Sequence, residues 1–176
     1  MVLLHALGER GTSWAPVKGR FAERFRVFTV DLRGHGDSDW PGTYSFQLMR
    51  DDVVDLLDHL GLRRVTVVGH SMGGSIAYLL AMQRADQVER LIVEDVPPPF
   101  RRDRPIPDRP IAPLGFDWAV VPAIVGGPKS HIPQDKLAEA AARIPRCTLL
   151  TIPAGHDIHT GRPAQFADTV LDWLSA

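Results

Sequence analysis

Apolar and polar positions along this chain alternate between two rhythms. Val2–Leu4, Val27–Val30, Val65–Val68, Leu91–Val93 and Thr148–Ile152 are short apolar runs bounded by polar or glycine-rich stretches. Runs of that length and character predict buried parallel strands. Between them the apolar period lengthens. Val53, Val54, Leu57 and Leu60 recur at helical spacing over Asp51–Leu60, where Asp51 and Asp52 suit the positive N-terminal end and Gly61 is placed to end the helix. Ser71–Arg84 reads as a second helix and Gln134–Ile144 as a third, with Leu137, Ala141 and Ile144 on one stripe. A fourth starts at Pro163 and carries Phe166, Val170, Leu171 and Leu174. Each parallel crossover needs a long connection, so the alternation predicts an α/β fold: a mostly parallel sheet of about six strands with helices on both faces.

One stretch breaks the rhythm. Residues 97–113 hold seven prolines and four arginines, which excludes a helix or a central strand. We expect an extended connection or a short lid over 97–117. Val120–Val125 is a candidate for the next strand, although Pro122 restricts it to a strand start or an edge. The length of 176 residues suits a single domain over 1–176.

Composition narrows the function classes. With 44% hydrophobic and 23% charged residues the chain has the balance of a soluble globular protein. A net charge of −1 offers no broad positive field, so neither nucleic acid nor an anionic membrane is an expected partner, and a small molecule is. Cys147 is the only cysteine, which excludes an internal disulfide and argues against thiolate metal clusters. No run reaches the roughly 18–20 apolar residues of a membrane span, and the first residues lack a basic leader, so a cytoplasmic setting is expected.

The chemistry concentrates at Val65–Gly74. There an apolar strand runs into Gly69-His70-Ser71-Met72-Gly73 and then into a helix, the context that G-x-S-x-G requires. A serine on so sharp a turn is strained, and the flanking glycines let neighbouring segments approach it. The turn lifts the Ser71 hydroxyl above the sheet and leaves the Met72 amide at a helix start, where it can hold a developing oxyanion. A phosphate-binding loop is disfavoured, because neither G-x-x-x-x-G-K-[ST] nor G-x-G-x-x-G is present.

At these residues the sequence resembles the α/β-hydrolase family, and three further segments extend the resemblance in order. His5-Ala6-Leu7-Gly8 is similar to the family's H-G-x-G oxyanion loop, with Ala6 where glycine is usual. Asp31–Ser38 is similar to its D-x-R-G-x-G-x-S turn, and Gly155-His156 with Pro163 and Phe166 to its terminal G-H…P-x-x-F segment. The resemblance implies a Ser71–His156 pair, with the amides of Leu7 and Met72 as the oxyanion hole. It also implies two strands before the first one seen here and a helical cap after Asp95, so the chain reads as abridged.

His156 has support of its own. It follows Pro153-Ala154-Gly155 after an apolar strand, which puts it at the same sheet edge as Ser71. His131 and His159 are its competitors. For the acid, Ser130 stands where the family commonly carries aspartate, so the acid is sought elsewhere. Asp95 ends the strand after the elbow helix, and some family members carry their acid there. Glu94 and Asp157 compete with it, and a Ser71–His156 dyad is the alternative.

These residues predict a serine hydrolase acting on an ester-like acyl substrate through an acyl-enzyme, with no cofactor and no metal. A short lid predicts an open site that favours short acyl groups. An acyltransferase or thioesterase would use the same residues, and a catalytically decayed binding protein is the rival from another class. No H-E-x-x-H motif points to metal hydrolysis.

Overall fold

A computed structural model describes residues 1–96 and 120–176. The lid or connection expected over 97–117 lies outside them. Six strands form one sheet: β1 (Val2–Leu4), β2 (Phe28–Val30), β3 (Val65–His70), β4 (Val88–Glu94), β5 (Val121–Gly126) and β6 (Thr148–Thr151). Their order is β2-β1-β3-β4-β5-β6, and every neighbouring pair is parallel. The alternating side chains of β1 show why helices must cover both faces. Val2 and Leu4 join one core cluster, Leu3 another, and all three are fully buried. Burying such a side chain contributes roughly 1.5–3 kcal/mol.

Helices α2 (Phe46–His59), α3 (Met72–Gln83) and α4 (Gln134–Arg143) cover one face through Val53, Leu57, Ile76, Leu80 and Leu137. The other face packs on α1 (Ala15–Ala22), the short α5 (Ile158–Gly161) and α6 (Pro163–Ser175), with Trp14, Phe21 and Phe166 fully buried there. Two differences from the periodic reading have local causes. Helix α2 starts at Phe46, because Ser45 accepts a hydrogen bond from Leu48 N at 3.1 Å and caps a first turn that adds the buried Met49 to the stripe of Val53 and Leu57. Helix α1 buries only Val17 and Phe21, too little periodicity to read in advance.

Pro122 sits second in β5, opposite Leu91 of β4. The ladder to β6 begins one residue later, at Ala123 opposite Thr148, so the missing proline N–H deprives no β6 carbonyl of a partner.

The strand order places the site. From β1 the chain crosses to β2 on one side and then returns past β1 to β3 on the other. At such a reversal the loops after the two central strands diverge and open a crevice at the C-terminal edge. Those loops carry His5–Arg10 and Ser71.

Candidate active site

Strand β3 is buried throughout and delivers the chain to Ser71, whose φ of 50° and ψ of −111° are strained for a residue with a side chain. What allows the turn is missing volume. A Cβ on Gly69 would collide with the carbonyl of Gly73, and one on Gly73 with the carbonyl of Leu4. The G-x-S-x-G spacing is therefore a packing requirement between β1, β3 and α3. Helix α3 begins at Met72 with no side-chain cap, so its first amide is left to donate to an anion at the positive end of the helix.

The opposite wall of the crevice is the loop after β1. Leu32 N–H donates to His5 Nε2 at 3.0 Å, so Nδ1 carries the ring proton and donates to the Ala6 carbonyl at 2.8 Å. Burial pushes the His5 pKa down, which keeps the ring in this neutral form. Glu9 N–H closes the turn onto Ala6 O at 3.2 Å, and Leu7 protrudes at its tip, 74% exposed. Ala6 has a negative φ, so an alanine meets no backbone strain where glycine is usual.

At the end of β4 stand two fully buried carboxylates, Glu94 and Asp95, and each takes a histidine from the segment that follows β6, His159 of α5 and His156 of the loop before it. Asp95 Oδ2 lies 2.7 Å from His156 Nδ1 and also accepts from the Ser130 hydroxyl. Its Oδ1 accepts from Gln134 Nε2 at 3.2 Å and from Gly127 N at 3.4 Å. A buried carboxylate needs such donors, and together they fix its orientation. Ser130 thus holds the Asp95 carboxylate in place.

With Nδ1 committed to Asp95, Nε2 of His156 is the nitrogen left for proton transfer, and the His156 side chain is 20% exposed. The ring centroid of His156 lies 4.7 Å from that of His70, the residue before Ser71, while Ser71 N–H donates to the Glu94 carbonyl at 3.1 Å. Ser71, His156 and Asp95 are thereby gathered at one edge.

The competitors separate by position. His159 is fully buried, stacks on Trp14 at 4.1 Å and is tied to Glu94 through Nδ1 at 2.8 Å. Glu94 Oε1 also accepts Ile158 N at 2.6 Å and His159 N at 2.9 Å, so Glu94 anchors the backbone that carries His156. His131 is exposed, its ring 4.5 Å from that of His156. Asp157 is exposed and lies 3.6 Å from His70 Nε2. Burial pushes the Cys147 thiol up to about 12, which removes it as a nucleophile.

Sequence reading missed Ser130 and Gln134 as holders of Asp95, and also Glu9. His70 Nδ1 stands 3.8 Å from Glu9 Oε2, and Nε2 is 3.1 Å from the His156 carbonyl. His70, with help from the Ala6 amide, holds the Glu9 carboxyl down at about 2 against the opposing effect of burial. Burial by itself lowers the His70 pKa, but Glu9, Glu94 and Asp157 outweigh it and the net direction is upward. This corner of the site attracts positive charge.

Beside Leu7 a cavity of about 590 Å³ is lined by Arg10, His35, Trp40, Tyr44 and Met49. Trp40 is 69% exposed on its rim.

A family model described as the alpha/beta hydrolase fold matches residues 1–111. The chain belongs to the α/β-hydrolase fold family. It is 26% identical over 247 aligned positions to an sn-1-specific diacylglycerol lipase of Mus musculus, covering 99% of this chain and 80% of the lipase. That alignment is longer than the chain, so the lipase carries residues with no counterpart here. A soluble epoxide hydrolase of Corynebacterium is 42% identical over 99 residues, 56% of this chain and 35% of its own length. An uncharacterized protein of Mycobacterium tuberculosis is 43% identical over 94 residues, which is 53% of this chain but 28% of that protein. The matched region is thus a minor part of those two relatives. Among solved structures, a marine microorganism esterase shares the fold with a TM-score of 0.83 at 21% identity, over 97% of this chain and 93% of that one. Among the described residues no helix is long and apolar enough to cross a membrane.

Proposed function

We propose that this α/β-hydrolase is a serine hydrolase that cleaves a small ester-like substrate through an acyl-enzyme. The observation that carries the reading is the buried Asp95 carboxylate 2.7 Å from Nδ1 of a partly exposed His156, at the edge where Ser71 is held in its strained turn. In this reading the Ser71 hydroxyl attacks the acyl carbon while His156 Nε2 takes its proton. Asp95 stabilises the imidazolium that forms, and the Leu7 and Met72 amides hold the oxyanion. Collapse breaks the bond to the alcohol, which leaves with the proton from His156. Water, activated by the same nitrogen, then attacks the acyl-enzyme and restores the serine.

The nucleophile type favours acyl over epoxide substrates. A serine ester keeps an electrophilic carbonyl that water can attack, whereas serine opening of an epoxide would leave an inert ether. The esterase and diacylglycerol lipase relatives agree with the acyl reading. The cavity beside Leu7 is large enough for a short acyl or alcohol group, since ligand pockets run to about 300–1,000 Å³. A reducing, cytoplasmic setting fits the single, half-buried thiol of Cys147.

The test is labelling with an active-site serine phosphonate. The protein is expected to take up one label on Ser71, and Ser71→Ala to lose both label and ester hydrolysis with folding unchanged by circular dichroism. Full hydrolysis by that variant would end the assignment. A series of p-nitrophenyl esters is expected to show kcat/KM falling beyond about eight carbons, because each methylene left unburied forgoes roughly 0.8 kcal/mol. A steady rise with length would contradict the short-acyl class.

A further inference from the structure

Three segments meet at the catalytic edge: the loop after β1 carries Glu9, the last residue of β3 is His70, and the short α5 after β6 carries His159. One ligand atom from each lies within 4.8 Å of the other two. Both histidines are fully buried, and each has one ring nitrogen without a partner, Nδ1 of His70 and Nε2 of His159.

The partners of the opposite nitrogens decide what those two atoms are. His70 Nε2 faces the His156 carbonyl at 3.1 Å, which can only accept, so in the neutral ring the proton sits on Nε2 and Nδ1 is a lone pair. His159 Nδ1 faces the Glu94 carboxylate at 2.8 Å, which also accepts, so in the neutral ring His159 Nε2 is a lone pair. With the Glu9 carboxylate, three acceptors converge on one spot. A single water has two protons and cannot satisfy all three. A divalent cation can.

We infer that Glu9, His70 and His159 form a binding site for a divalent transition-metal ion of the zinc class, separate from the Ser71–His156–Asp95 set. Two imidazoles and one carboxylate are a donor set that suits zinc, cobalt and nickel. The support around the ligands matches what such sites use. Glu94 accepts from the far nitrogen of His159, and the His156 carbonyl accepts from that of His70, fixing both rings with their lone pairs directed inward. Glu94 and Asp157 add negative charge, and the Glu9 side chain, 27% exposed, gives a route in from solvent. Tetrahedral zinc places its donors about 3.4 Å apart. The Glu9–His70 separation is already 3.8 Å, and closure of the set requires a shift on the order of an ångström, for which the partly exposed Glu9 is free. A bound ion would tie the oxyanion loop, the elbow and the His156 loop together. The three ligands sit far apart in sequence, which is why no metal motif announces them.

The experiment uses the full chain after dialysis against a chelator. Titration with cobalt(II) chloride is expected to give the visible bands of a low-symmetry nitrogen–oxygen site, saturating at one ion per chain, and zinc chloride to displace the cobalt and raise Tm. Glu9→Gln, which keeps shape and removes the anionic ligand, is expected to weaken uptake by 10- to 100-fold at unchanged circular dichroism. His131→Ala, which alters the other histidine beside His156, is expected to bind as the parent does. Absence of stoichiometric uptake would overturn the proposal and leave a protonated His70 beside Glu9 as the occupant. Uptake that survives Glu9→Gln but is lost in His131→Ala would overturn it equally, placing the ion on the catalytic histidine.

Discussion

Two histidine–carboxylate pairs stand side by side at the end of β4, built from the neighbours Glu94 and Asp95 and from His156 and His159 three residues apart. Both contacts are close, 2.7 Å for Asp95–His156 and 2.8 Å for Glu94–His159. They differ in access. His159 and Glu94 are sealed, with the ring stacked on Trp14 and two backbone amides on the carboxylate. His156 keeps a fifth of its side chain exposed and has its second nitrogen uncommitted to a carboxylate. A histidine–carboxylate contact therefore does not by itself mark a catalytic pair. Chemistry requires that one partner be buried and fixed while the other meets a substrate.

The largest expected effect comes from Asp95→Asn. It keeps shape, removes the charge that stabilises the imidazolium and permits the wrong ring tautomer, so kcat is expected to fall by about two to four orders of magnitude with Tm little changed. Steady-state ester hydrolysis beside a thermal melt checks it. Parent-like turnover would mean that the reactive pair has been chosen wrongly.

Glu94→Gln is expected to behave in the opposite way. Its loss weakens bonds to two amides and one ring in a sealed site, a cost of about 1–3 kcal/mol, or about 2–4 °C in Tm for each kcal/mol in a chain of this size. The fall in kcat is expected to stay within about tenfold, since the His156 loop loosens while its acid remains. If Glu94→Gln cost as much turnover as Asp95→Asn at an unchanged Tm, the distinction between the pairs would collapse.

Asp31, at the end of β2, supplies the smallest effect and a control, because its oxygens accept backbone amides from Asp37 at 2.8 Å and Gly11 at 2.6 Å rather than a histidine. Those bonds, the Asp37 amide first, outweigh desolvation and lower its pKa. A carboxylate with a lowered folded-state pKa contributes stability above its unfolded value, near 3.9, and loses it as pH falls through the folded one. Asp31→Asn is thus expected to lower the urea midpoint at neutral pH, with the gap to the parent closing below about pH 4. A gap that persists undiminished at lower pH would show that the charge of Asp31 is not what counts.

The sequence alone settled what depends on neighbours along the chain. The central apolar runs became strands because burial on both faces demands continuous hydrophobicity, and Gly69-His70-Ser71-Met72-Gly73 could be read as a strained elbow because the steric need for glycine is local. Where a decision depended on which loops meet in space, the tertiary structure made it. Glu94 and Asp95 are adjacent and chemically alike, yet Glu94 is the last residue of β4 while Asp95 turns off the strand with a φ of 52°, so one met His159 in the core and the other His156 at the edge. Ser130, read as the gap where an acid was missing, proved to be the hydroxyl that holds Asp95, and Glu9, His70 and His159 came together from three strand ends. Separations of dozens of residues leave no periodicity to read, and the order of strands in the sheet supplied what the spacing could not.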